Sequence, residues 1–148
     1  MGKYYTGRFK PKNPTKYRGD HTNIVYRSRW ELVVMQKFDA HPDIVEWASE
    51  ELVIPYISPV DNKRHRYFPD FFIKRRDKYG VIESILIEVK PLAQTKPPKV
   101  LAKPTRRYIN EVYTYGVNQS KWAAAEAVCK DRGWKFMVMT EADIGIKF

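Results

Sequence analysis

The sequence predicts an α/β domain built on a mixed β-sheet flanked by helices. Three observations carry that expectation. A helix-period segment precedes three strand-like segments separated by turn signals. Helical patterns then follow and end in one more short strand, so the last strand arrives by a helical crossover that suits parallel pairing. The length, 148 residues, fits one domain. A chain of this size buries about 70% of its unfolded surface, so neither a disulfide nor a structural metal is needed to fold it.

Ser28 to Phe38 reads as the first helix, because Trp30, Val34 and Phe38 recur at helical spacing and Pro42 marks its end. Leu52 to Ile57 is a short apolar run rich in β-branched residues, a strand. Asp61-Asn62-Lys63 is a turn, Arg64 to Lys74 a second strand, and Asp77 to Gly80 another turn. Val81 to Val89 has the strongest strand pattern in the chain. The segments 52–57, 64–74 and 81–89 are therefore expected as an antiparallel meander. Arg106 to Tyr115 and Gln119 to Arg132 read as two helices separated by Gly116, the second capped by Asn118 or Ser120 and stopped by Gly133. Trp134 to Met139 is the final strand.

Charge sets the class of partner. The chain has 27 Lys and Arg against 17 Asp and Glu, a net +10. That balance favours a polyanion, nucleic acid before membrane. No apolar run reaches the roughly 18 residues of a membrane span, and residues 1–9 lack the apolar stretch of a secretory signal. Cys129 is alone, which excludes an internal disulfide and a Cys-rich zinc module. His21, His41 and His65 show no paired ligand spacing.

Two basic stretches break the pattern. Residues 1–20 read as an N-terminal arm ahead of a domain over 21–148. It carries Lys3, Arg8, Lys10, Lys12, Lys16 and Arg18, with Tyr4, Tyr5, Phe9 and Tyr17 interleaved. Cations on phosphates and rings against bases or sugars would bind nucleic acid; the alternative is a tail whose rings pack back onto the domain. The second stretch is a Pro/Lys-rich loop at 91–107, with Lys96, Lys99, Lys103, Arg106 and Arg107. Its prolines bar a helix or a central strand. These cations, with Arg27, are the candidate DNA contacts.

The candidate chemistry lies at strand ends. Asp70 stands in Tyr67-Phe68-Pro69-Asp70, and Ile87-Glu88-Val89-Lys90-Pro91 closes the apolar strand. Alternation puts Glu88 and Lys90 on one face. A carboxylate and an ammonium at the end of a buried strand need partners. A hard divalent cation, Mg²⁺ or Mn²⁺, on Asp70, Glu88 and the Val89 carbonyl would supply them, with Lys90 beside the reacting phosphate. Pro69 marks a bend that re-aims the carboxylate after it. Ser28-x-x-Glu31 is a capping box, and on the sequence alone Glu31 serves as that cap. Lys121 reads as a solvated helix-face lysine, Glu50 and Glu83 as solvent-facing, and Trp122, Ala125, Val128 and Cys129 as core.

The spacing Pro-Asp, 17 residues, Glu-x-Lys on two adjacent strands resembles the PD-(D/E)xK nuclease superfamily. Lys16-Tyr17-Arg18-Gly19-Asp20, Tyr26-Arg27-Ser28-x-Trp30-Glu31, Val53-Ile54-Pro55-Tyr56, Arg66-Tyr67-Phe68-x-Asp70, Ile87-Glu88-Val89-Lys90-Pro91 and Asn110-Glu111-x-Tyr113-Thr114 narrow the likeness. Together they are similar to the head completion nucleases of T-even-like tailed phages, over almost the whole chain. The resemblance implies a restriction-endonuclease-like fold akin to that of TnsA-type endonucleases. It implies a metal-dependent endodeoxyribonuclease that acts on double-stranded DNA while filled heads are finished before tail joining. It implies portal or neck proteins as partners, a place in the virion and in the host cytoplasm rather than secretion, and neither a membrane nor a small-molecule cofactor. It also moves Glu31 to the metal site with Asp70, Glu88 and Val89. A non-catalytic neck protein with a relic nuclease fold is the alternative.

Overall fold

The computed structural model describes residues 6–144. Lys3, Tyr4 and Tyr5 of the expected arm lie outside the described residues. The order is β1 (Gly7–Phe9), β2 (Ile24–Tyr26), α1 (Arg29–Ala40), β3 (Ile44–Ser49), β4 (Ile54–Ile57), β5 (Arg64–Tyr67), β6 (Phe71–Arg76), β7 (Ile82–Val89), α2 (Arg106–Arg132), β8 (Lys135–Met139) and α3 (Glu141–Ile144), with 3₁₀ turns at Pro14–Lys16 and Leu92–Thr95. No helix among the described residues is long and apolar enough to cross a membrane.

The main sheet runs β3-β6-β7-β8. Its first three strands are antiparallel, and β8 lies parallel to β7, with Glu88 opposite Val138. This is the mixed α/β architecture that the sequence predicts. One face packs on α1: Trp47, Phe71, Ile73, Ile85, Ile87 and Val89 of the sheet meet Val34, Met35 and Phe38. The other packs on α2: Phe72 and Leu86 meet Trp122, Ala125 and Cys129. Burial on both faces is why β7 reads as a continuous apolar run.

The meander is corrected in two places. The expected strand over 64–74 splits at Phe68-Pro69-Asp70: β5 pairs with β4 in a separate hairpin, while β6 enters the main sheet. Pro69 has no amide to give a ladder and is fully buried at the break. The third antiparallel strand of the main sheet is instead β3, a segment with no strand period in the sequence. A bulge between Ile44 and Glu46 explains the silence, since it puts Ile44 and Trp47, three residues apart, into the same core and erases the two-residue period.

The expected pair of helices is one helix, α2, running through Gly116. A single glycine costs a helix only about 1 kcal/mol relative to alanine, and the buried stripe Asn118, Trp122, Ala125, Cys129 holds the helix to the sheet. Asn118 and Ser120 are therefore interior positions, not caps. Thr105 caps the start, accepting the Tyr108 amide at 3.1 Å, and Gly133 ends it at a left-handed φ of 72°.

Within the described residues the arm is also corrected: it packs on the domain. β1 pairs with β2, and Phe9 and Tyr17 are core residues edge-on to Trp47, with Tyr17 at 4.7 Å between ring centroids. Lys16 Nζ donates to the carbonyls of Phe38, Asp39 and His41 at 2.7, 2.9 and 2.8 Å. It closes the C-terminus of α1, where orphan carbonyls and the negative end of the dipole favour a cation. Its place among the DNA contacts is thereby withdrawn.

Candidate active site

Three chain breaks meet at one end of the main sheet. The β5–β6 break delivers Asp70, the end of β3 delivers Glu50, and the first turn of α1 delivers Glu31. One carboxylate oxygen of each lies within 4.8 Å of the others. Asp70 Oδ2 accepts the Val89 amide at 2.8 Å, which ties the break to the end of β7. The Glu50 amide donates to the Asp70 carbonyl at 3.1 Å, and Glu50 adopts a left-handed φ of 54°. A side chain other than glycine reaches that region at a cost, and such strain recurs where a site needs a particular aim.

Glu88 stands behind this triad. It is buried, and Tyr67 Oη donates to its Oε2 at 3.0 Å. Burial and the adjacent Glu88 carboxylate push Asp70 up to about 9, against the partial relief of the Val89 amide. Burial likewise raises Glu31, with the Glu50 charge adding to it. Burial and then the Glu88 charge raise the Tyr67 phenol, so it remains a hydrogen-bond donor. Four carboxylates thus crowd one spot in a basic protein. Arg27, offered as a DNA contact, pairs instead with Glu50. Such a set of hard oxygen donors short of countercharge fits a divalent cation.

The expected capping role of Glu31 is present in altered form. Ser28 Oγ accepts the Glu31 amide at 3.1 Å, while Glu31 Oε2 accepts the Arg27 amide at 3.3 Å and faces the Ser28 hydroxyl at 3.4 Å. A cap and a place in the acidic cluster are held by the same side chain. Of the other candidates, Val89 is buried and contributes its amide, and Lys90 is half-exposed just past β7, its amide bonded to the Met139 carbonyl at 2.9 Å.

Glu50 is corrected from a solvent-facing residue to a member of the cluster, and Lys121 from a solvated lysine to one whose Nζ lies 5.6 Å from the centre of the Tyr67 ring. The signal for Glu50 was an acid ending an alternating run, legible only once β3 is recognised. Glu83 is also corrected: it is held between Arg75 at 2.6 Å and Lys135 at 2.7 Å. Lys10 and Lys12 are exposed just after β1, and Arg18 is exposed against β3 and β6, near Glu46 and over the Phe72 ring. Lys96, Lys99 and Lys103 are exposed between β7 and α2, and Arg106 and Arg107 are exposed at the start of α2. The β4–β5 hairpin adds Lys63, Arg64 and Arg66, exposed cations that the sequence analysis did not single out.

Comparison with known proteins follows the same residues. Residues 41–141 match the family described as TnsA-like endonuclease N terminal. The chain is 43% identical over 141 residues to the head completion nuclease of Enterobacteria phage T4, covering 93% of this chain and 91% of that protein.

Proposed function

The chain belongs to the TnsA-like endonucleases and to the phage head completion nucleases, and on that premise we propose that it is a divalent-metal-dependent DNA endonuclease that finishes DNA-filled heads before tail attachment. One observation supports the metal chemistry above all: Glu31, Glu50 and Asp70 converge within 4.8 Å, against Glu88, with Arg27 as their paired cation. Glu31, Glu50 and Asp70 would hold Mg²⁺ or Mn²⁺, with Glu88 directly behind. When bound, that ion supplies polarisation of the scissile phosphate and lowers the pKa of the attacking water.

The chain's own residues do the rest. Tyr67 fixes Glu88, so the carboxylate next to Asp70 cannot rotate away. The Val89 amide aims Asp70. Lys90, on the Glu88 face of β7, stabilises negative charge that develops on phosphate oxygens or orients the attacking water. The exposed cations of the 91–107 loop and the β4–β5 hairpin hold the DNA backbone. The protein works in the head–neck region of the virion during assembly in the host cytoplasm, where portal or neck proteins are its partners.

The test is cleavage of linear, nicked and branched DNA with Mg²⁺ or Mn²⁺, and with EDTA. Asp70→Ala and Glu88→Ala should abolish cutting while retaining DNA binding. Lys90→Ala should slow the chemical step by roughly a hundredfold or more, the scale of losing one charge-stabilising group. Parent-like cutting by Asp70→Ala, or cutting in EDTA, refutes the assignment.

A further inference from the structure

A groove of about 700 Å³ lies between the segment after β7 and the first half of α2, with Gln94 and Lys96 on one wall and Arg106, Asn110, Tyr115 and Asn118 on the other. The helix that forms one wall also bears a residue linked to the acidic site. Asn118 lies one helical turn before Lys121, whose ammonium covers the Tyr67 ring, and Tyr67 holds Glu88.

Asn118 is the telling residue. It is only 5% exposed, it sits in the middle of a helix, and it lines this groove. No hydrogen bond ties its carboxamide to another of the described residues, and its polar atoms are not among those sealed from solvent but lie where the residue lines the groove. A side chain held firmly by its surroundings, with its polar atoms free at a groove wall, has its hydrogen-bonding capacity open to a ligand. A carboxamide offers donors and an acceptor side by side, the pattern that matches the edge of a nucleobase. Tyr115 adds an aromatic ring on which a base can stack.

The entrance is net positive: Lys96, Arg106 and Arg107 stand against Glu111, which pairs with Arg107 at 3.1 Å. Arg106 and Arg107 open α2, and its first turn contains no acid. Basic residues at the positive end of a helix dipole give up helix stability and concentrate positive potential there, which suits a phosphate. Lys96 faces them across the groove. The volume is that of clefts that enclose a small molecule, about 300–1,000 Å³. A single nucleotide falls within that size range.

We infer that this groove takes an unpaired nucleotide of the DNA strand beside the cut, its phosphate on Lys96 and Arg106 and its base against Asn118 and Tyr115. The preferred substrate is then a junction of double- and single-stranded DNA, such as an overhang or a gap. This deepens the nuclease assignment and rests on it.

The experiment compares the full chain's affinity, in EDTA, for a blunt duplex and for the same duplex with a short single-stranded overhang. The overhang should bind roughly tenfold tighter, the size of one stacked base. Asn118→Leu, of similar volume, and Arg106→Ala, at an exposed position, should each bring the ratio close to one. Melting curves report whether Asn118→Leu is folded, and Arg106→Ala carries the test if it is not. Iodouracil placed in the overhang should crosslink to Tyr115. Equal affinity of the parent chain for the two DNAs overturns the inference, and so does a preference that survives in both variants. Cleavage of blunt duplex with Mg²⁺ is scored separately. Cutting without overhang preference refutes the groove alone, and overhang preference without any cutting refutes the nuclease assignment alone.

Discussion

Asp70→Asn should make the metal-free protein's stability less sensitive to alkali. In the folded chain Asp70 is pushed up to about 9 by burial and by Glu88, whereas an unfolded aspartate titrates near 3.9. An acid whose folded pKa is raised contributes stability that is fully present below the unfolded pKa and lost as pH rises to the folded one. Between those limits the folded state holds one proton that the unfolded state has released, a slope of about 1.4 kcal/mol per pH unit. For a domain of this size that is roughly 3–5 °C of melting temperature per pH unit. Asparagine mimics the protonated acid: its oxygen still accepts the Val89 amide, and its amino group can donate to Glu88. The measurement is thermal unfolding by circular dichroism in EDTA, from pH 7 to 8.5. Parent melting should fall across that range, and Asp70→Asn should remove about one proton's worth of the slope. Mg²⁺ should flatten the parent's slope as well, because a cation in the cluster displaces the proton. Equal slopes for parent and variant in EDTA would refute the crowded-carboxylate argument.

Lys16→Met should cost about 2 kcal/mol in urea unfolding by releasing three carbonyls at the end of α1, and should leave the salt dependence of DNA binding unchanged; a shallower salt slope would return Lys16 to the DNA contacts. Gly116→Ala should raise stability by about 1 kcal/mol, since a new Cβ meets only Pro59 Cγ at 3.6 Å; a lower melting temperature would show that α2 needs the glycine. Tyr67→Phe should cost about 1–3 kcal/mol by leaving Glu88 without its donor, read from the denaturant midpoint, and an unchanged midpoint would mean that the bond to Tyr67 contributes nothing measurable to the fold.

How far the chain announced itself differs by element. α1, β7 and β8 follow patterns that depend on neighbours in sequence, such as a capping box, an apolar run and a glycine stop. That Asp70 and Glu88 are candidates for one site was legible because strand ends and a proline carry local meaning. Other features needed the third dimension. The bulge in β3 hides its period, and with it Glu50, whose role depends on the left-handed turn that follows. The N-terminal cations look alike in sequence, yet Lys16 caps a helix while Lys10 and Lys12 stay exposed: Lys12 meets the end of α1 through its backbone amide, and only the Lys16 ammonium reaches the carbonyls there. Gly116 looked like a break because glycine weakens a helix, and packing of the stripe on the sheet outweighs one such residue.

The parallel pairing of β7 with β8 also orders events in time. The β8 partner of Glu88 is Val138, and the Lys90 amide is tied to Met139, so the strand bearing both residues lacks its second neighbour until the Pro-rich loop and all of α2 have been synthesised. Chains emerge from the ribosome N-terminus first. A nascent chain released within α2 would carry every acid of the site and still present β7 as an open edge. Such an edge recruits other strands; it does not hold two carboxylates in fixed register. Competence to cut DNA therefore arrives with the last strand, and a prematurely ended chain is an aggregation hazard before it is a nuclease.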